Sequence, residues 1–256
     1  MLAQRIPWFI GLDVSKAVRV GSILPQDLAL LSAATPQAGA RFESAALFVD
    51  PARADAVLAG WAAALHTAAR LRAWRNELLP VAALPAGLKP LQALPQPLAY
   101  LERGASRVLG VLTHAVHVVG FSSTGDIWLQ QRALDKSTDP GLWDTLAGGL
   151  LAAGDDLYSG ALRETHEEAG LTAADLSPLR SHGSVLQSRS VPDGHILEAV
   201  WTFSATLLPH AQPHNLDGEV MGFACVSADK LRRLCAQGLV TQEAMLALAA
   251  AGVAVA

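Results

Sequence analysis

The chain has 256 residues, 51% of them hydrophobic and 16% charged, with a formal net charge of −4 and a mean hydropathy of +0.30. That apolar share suffices for the core of one or two domains and excludes a disordered or collagen-like chain. The small negative charge, with no basic run, argues against a nucleic-acid backbone as the main partner.

The hydropathy comes mostly from Ala and Leu. The longest greasy stretch, Met245 to Ala256, is broken by Gly252 and is too short to cross a bilayer, so no membrane partner is expected. The N-terminus MLAQRIPWFIGLDVSK lacks the pattern of a secretory leader, and a cytoplasmic location is expected. Cys225 and Cys235 cannot make a disulfide framework and are expected as reduced thiols near the core.

In chain order, Leu24–Ala34 predicts a short helix and Ala45–Val49 a strand. From Pro51 to Trp74 the apolar residues Val57, Leu58, Trp61, Leu65 and Leu71 recur at helical spacing, with Pro51 in the first turn. Trp8, Trp61 and Trp74 are expected in the core of this small α/β module rather than around a ligand. Pro80, Pro85, Pro90, Pro95 and Pro97 then punctuate a stretch that suits neither a helix nor a central strand. This marks a boundary between an accessory domain over 1–97 and a second domain over 98–256.

Downstream, Val111–Phe121 and Ile127–Arg132 flank the turn sequence SSTGD and predict a hairpin. A helix is expected over Asp155–Ala169. Strands are expected near Ser181–Ser190 and His195–Leu208 around VPDGH, and over Glu219–Val226 before a helix capped by Ser227. The fold class that follows is α/β (α+β): a mixed sheet sandwiched between helices.

The helix near Asp155 carries the chemistry. Asp155 and Asp156 suit a helix N-terminus, and Gly170 suits a left-handed C-terminal residue. At about 100° per residue, Glu164, Glu167 and Glu168 share roughly a 100° arc, leaving Tyr158, Ala161, Leu162, Thr165 and Ala169 to face the core. Like charges so placed repel each other unless a hard cation such as Mg²⁺ joins them. Arg163, four residues before Glu167, is placed to pair with it. A plain solvated acidic face has the same pattern.

The segment resembles the Nudix box, G-x5-E-x7-R-E-U-x-E-E-x-G-U with U aliphatic. Gly149, Arg163, Glu164, Glu167, Glu168, Gly170 and Leu171 match it, while Asp155 stands for the first glutamate and Thr165 for an aliphatic residue. The resemblance implies a loop–helix–loop that binds Mg²⁺, with Mn²⁺ as a substitute, and hydrolyses a phosphoanhydride bond. Carried over by residue, Glu164, Glu167, Glu168 and the Gly149 carbonyl would hold the metal, and Arg163 would orient a ligand. The Asp155 change touches a supporting contact.

A finer resemblance rests on HVVGF from His117, the run from Trp128 to Gly149 and PHNLDGEVMGF from Pro213. These are similar to Nudix proteins related to thiamine pyrophosphokinase, and IPWF and WRNELLPV look like their accessory domain. That branch implies hydrolysis of thiamine diphosphate, or of oxidised or analogue forms, to the monophosphate and phosphate. Nucleotide or nucleotide-sugar pyrophosphohydrolysis is the rival within the fold, and a ligand-sensing regulator the rival outside catalysis. A small-molecule diphosphate is the expected partner, with a homodimer left open.

Other residues complete the expectation. Lys136 and Arg132 are candidates for substrate phosphate, Glu198 for an additional ligand, base or substrate contact, and Glu219 or Glu168 for the general base. His114 and His117, three apart on a strand, fall on opposite faces and do not share a metal. His166 is expected to be solvated, and Trp128, Trp143 and Trp201 to lie in the core. The module over Met1–Pro97 is expected to influence substrate choice through its interface.

Overall fold

The computed structural model describes residues 4–35, 39–43, 45–136 and 138–255. Four strands of the N-terminal module, Ile6–Ile10 (β1), Val18–Ile23 (β2), Ala40–Phe42 (β3) and Leu47–Val49 (β4), form a sheet in the order β2-β1-β4-β3. Helices Leu28–Ala33 (α1) and Ala54–Thr67 (α2) bury Leu31, Val57, Leu58, Trp61 and Leu65 in the same core as Trp8 and Ile10. Trp8 and Trp61 meet edge to face, with ring centroids 5.6 Å apart. Trp74, expected with them, is exposed. The helix expected to reach it stops at Thr67, where Ala69 turns left-handed (φ 53) and the Arg70 N–H bonds back to the Leu65 carbonyl.

Inside the proline-rich region, Leu78–Val81 (β5) forms an antiparallel pair with Ala99–Glu102 (β6), Pro80 lying opposite Tyr100. A two-stranded edge tolerates a proline that lacks a donor. The following prolines run along the body: Leu84, Leu91 and Leu94 pack on the second core. The Ser184 hydroxyl accepts from the Leu91 N–H and donates to the Leu91 carbonyl. Ser106–Leu109 (α3) then ends at Gly110 in the left-handed region (φ 56).

The second sheet contains Leu112–Phe121 (β7), Ile127–Arg132 (β8), Trp143–Asp144 (β9), Ala147–Leu150 (β10), Arg180–Val191 (β11), Gly194–Thr206 (β12) and Val220–Val226 (β13). Its order is β11-β12-β7-β8-β13, with β10 added to β7 and β9 to β8. It is mixed, because β12 runs parallel to β7 while the other pairs are antiparallel. Leu157–Ala169 (α4) packs Ala161 and Ala169 against Leu112, Val116 and Val118. Ala228–Ala236 (α5) and Gln242–Ala250 (α6) pack Leu231, Ala244 and Leu248 against Val119, Leu129 and Val200. Val118 and Val119 thus face opposite helical layers, as the strand period of two requires. This is the expected mixed sheet between helices.

Two expectations change. The stretch from Met245 contributes to α6, a helix not foreseen. Cys225 is exposed, because it precedes buried Val226 on β13 and therefore points the other way. Among the described residues, no helix is long and apolar enough to cross a membrane.

The β11–β12 turn docks onto α3 and onto Arg72 of the N-terminal module. Asp193 Oδ2 lies 3.0 Å from Arg72 and 3.6 Å from Arg107. A Cβ on Gly194 would fall 2.2 Å from the Arg107 carbonyl, so that position admits no side chain.

Candidate active site

Helix α4 starts on Asp156, whose Oδ1 accepts from the Tyr158 and Ser159 N–H groups, both at 2.8 Å. It ends on Gly170 in the left-handed region (φ 66). Thr165, at the usually aliphatic position, is fully buried and donates to the Ala161 carbonyl at 2.7 Å. The helix itself satisfies its hydroxyl, so the substitution costs little. Tyr158, expected to face the core, is exposed because it sits in the first turn, beyond the sheet contact. His166 is exposed, as expected.

The three glutamates do not form one solvated face. Glu164 and Glu168 are buried, at 9% and 3% exposure, while Glu167 is exposed. Arg163 ties the cluster together: it donates to Asp155 at 2.7 Å, Glu164 at 2.8 Å, Glu167 at 3.0 Å and the Leu150 carbonyl at 3.2 Å. Burial opposes the guanidinium charge, but Asp155 and Glu164 more than offset it and the pKa is raised. Asp155 therefore anchors Arg163 rather than the helix cap.

Glu164 rests on the bare α-carbon of Gly149, where a Cβ would fall 2.4 Å from its carboxyl. Burial raises its pKa and Arg163 opposes the shift. Glu168 Oε2 accepts from Gln130 Nε2 at 2.7 Å and from the Gly148 N–H at 2.8 Å. Burial pushes its pKa up to about 7 despite those two donors. Lys136 Nζ stands 4.0 Å from Glu168 Oε1 and also meets Glu219. Burial lowers the Lys136 pKa, with Glu168 opposing.

The remaining candidates are spread around this cluster. Arg132 binds Asp144 at 3.1 Å and the Thr138 carbonyl, which bends the loop after β8. Glu219 lies exposed just before β13, beside Lys136. Glu198 is on β12, away from the glutamate pair, and accepts from Thr113 and Gln187. His114 and His117 are buried apart: His114 Nδ1 accepts from Trp201, and His117 Nδ1 lies 3.0 Å from Thr145 Oγ1. Trp201 is buried, and Trp128 and Trp143 pack partly buried against the cores.

Gln130, fully enclosed beside Glu168, escaped the sequence reading. Its only signal was an amide in a strand whose two faces are both covered.

Among the described residues, no three His, Cys, Asp or Glu groups stand as a ready cation cage. The donor chemistry nevertheless fits a hard cation. Glu164 and Glu168 offer only oxygen, and both are disfavoured as anions by burial, a penalty that a divalent cation would offset.

Residues 111–247 match the family model of the NUDIX domain. The chain belongs to the Nudix family. An uncharacterized Nudix hydrolase of Pseudomonas aeruginosa is 38% identical over 88 residues, covering 34% of this chain and 50% of that protein. The chloroplastic Nudix hydrolase 20 of Arabidopsis thaliana is 30% identical over 155 residues, covering 59% of this chain and 39% of its own length. The chain thus spans half or less of these curated relatives. A crystal structure of the Deinococcus radiodurans protein DR0079 superposes with a TM-score of 0.49 at 20% identity, over 69% of this chain and 99% of the other.

Proposed function

We propose that this Nudix chain is a divalent-cation-dependent hydrolase of a phosphoanhydride bond in an organic diphosphate. The observation that carries the reading is the buried pair Glu164 and Glu168, set against Gly148 and Gly149 with Lys136 beside them. Glu164, Glu167, Glu168 and the Gly149 carbonyl would hold Mg²⁺ or Mn²⁺. Such a cation would neutralise phosphate charge and make water easier to deprotonate.

The chain's own groups do the rest. Arg163 aims Glu164 and Glu167 through its hydrogen bonds. Gln130 and the Gly148 N–H fix one oxygen of Glu168, leaving the other toward Lys136. Lys136 is placed to meet a phosphate oxygen, and Arg132 to hold the loop that carries it. Glu168 or Glu219 takes the proton of the attacking water.

For the substrate we propose thiamine diphosphate, or an oxidised or analogue form, cleaved to the monophosphate and phosphate. The support is the likeness of the runs from His117, Trp128 and Pro213 to that branch of the family. The test is product analysis on thiamine diphosphate and its analogues beside nucleoside diphosphates and nucleotide sugars, with Mg²⁺ and with chelator. Metal-dependent turnover is expected, strongest on the thiamine compounds. Turnover of nucleoside diphosphate derivatives alone would replace the substrate. No turnover of any diphosphate with Mg²⁺ or Mn²⁺ would replace the hydrolase with a sensor.

A further inference from the structure

A second group of partly buried polar side chains lies outside the glutamate cluster, around a cavity of about 70 Å³ between α3 and the second sheet. Arg107, Thr113, Leu150, His195, Glu198 and Glu243 are among its walls. Glu198 Oε2 accepts from Thr113 Oγ1 at 3.2 Å and Oε1 from Gln187 Nε2 at 2.9 Å. The same Gln187 nitrogen donates to Glu243 at 2.8 Å. Arg189 neutralises Glu243 at 3.1 Å, but among the described residues no cation stands within ion-pair distance of Glu198. Burial and the nearby Glu243 oppose its ionisation, and His117 favours it.

The unpartnered atoms here include an acceptor, Gln187 Oε1, and a donor, Arg189 Nε. Gln187, 4% exposed, leaves Oε1 without a partner, and His195 leaves Nδ1 without one. Arg107 is engaged with Thr138 and Asp193. A partly buried carboxyl without an ion-pair partner gains when a donor with positive charge enters. The cavity is small and suits a compact amino or amidino group.

Position ties the cavity to the diphosphate. Leu150, in its wall, follows Gly149, and Gly149 pairs with Val116 on β7. Thr113 lies three residues from Val116 on that strand, about 10 Å at roughly 3.3 Å per residue, and on its opposite face. A diphosphate at Gly149 would reach Glu198 through an organic end about 10 Å long that passes beside Leu150 to the other face of β7.

We propose that this cavity receives the organic end of the substrate and selects an end bearing an ammonium, amidinium or ring-amine donor, with Glu198 as its counter-charge. The proposal rests on the diphosphate reading of the box but on no single substrate.

The test is calorimetric binding to the full chain, with Mg²⁺, of an ω-ammonioalkyl diphosphate and of the alkyl diphosphate of equal length. The wild-type protein is expected to prefer the ammonio compound by at least about tenfold, the value of one charge-assisted hydrogen bond. Glu198→Gln, with its folding checked by thermal denaturation, should bring the ratio to within about threefold. If that variant does not fold, Thr113→Val, which removes a hydrogen bond that aims Glu198, takes its place with the same expectation. A wild-type ratio near one, or a ratio the variant leaves unchanged, would overturn the proposal. Because binding is read, selective binding without turnover sustains this inference while removing the hydrolase reading.

Discussion

In the N-terminal core, burial falls on aromatic rings whose polar handles are all matched: the Trp8 N–H donates to the Leu109 carbonyl at 2.8 Å and the Trp61 N–H to Thr35 Oγ1 at 2.9 Å. Around the box, burial falls on carboxyls. Glu168 is raised to about 7, and Glu164 is raised as well. The first arrangement is stable as it stands. The second is a site in which the native fold tolerates unfavourable charge, and only something that enters from outside relieves it.

The largest effect that should separate the two regions is on stability. Trp8→Ala removes a fully buried indole and strands the Leu109 carbonyl, and should cost about 3–5 kcal/mol in urea denaturation. A loss under about 1 kcal/mol would mean that this core does not depend on its aromatic pair.

Next comes His114, a buried imidazole beneath the box whose pKa is lowered by desolvation to about 4. The unfolded chain takes up its proton near pH 6.5 and the folded chain only near 4. Stability is therefore complete above about pH 6.5 and falls as pH drops toward 4, by about 3 kcal/mol for this group. The wild-type minus His114→Gln difference, followed by denaturation across that window, should show this slope. A flat difference would mean the imidazole is protonated in place.

The third effect is on rate. Glu168→Gln should lower kcat by about 10²-fold, close to 2.7 kcal/mol, while denaturation shows stability held or increased. A neutral amide in place of a carboxyl raised to about 7 removes buried charge. Loss of folding together with activity would erase the contrast and make Glu168 part of the architecture.

The box was legible because Arg163, Glu164, Glu167, Glu168 and Gly170 lie within one helix and its cap, where spacing decides who meets whom. What the spacing could not show is depth. Glu168 is enclosed by Gly148, 20 residues away, and by Gln130, 38 residues away, and only the pairing of β7 with β8 and β10 brings them in. The long strands were read from their alternation, whereas β1 and β2 went unseen because IPWFI is short and Arg19 and Gly21 interrupt the second. The alanine-rich α6 read only as a greasy stretch, since its apolar residues surround the whole helix and leave no stripe. Glu198 looked like one more strand carboxylate. Its surroundings come from α3, β7, β11 and α6, four segments that no local pattern links.

The bond from Trp8 to Leu109 closes a loop of 101 residues. On a growing chain, β1 emerges before Leu109 and its tryptophan waits for its partner until that whole length has been made, on the order of ten seconds at about 5–20 residues per second. Closing so long a loop also carries an entropic toll that the short β1–β2 hairpin does not. Trp8 thus locks late although it is made well before its partner, and a chaperone or protease meeting the chain early would find its indole uncovered.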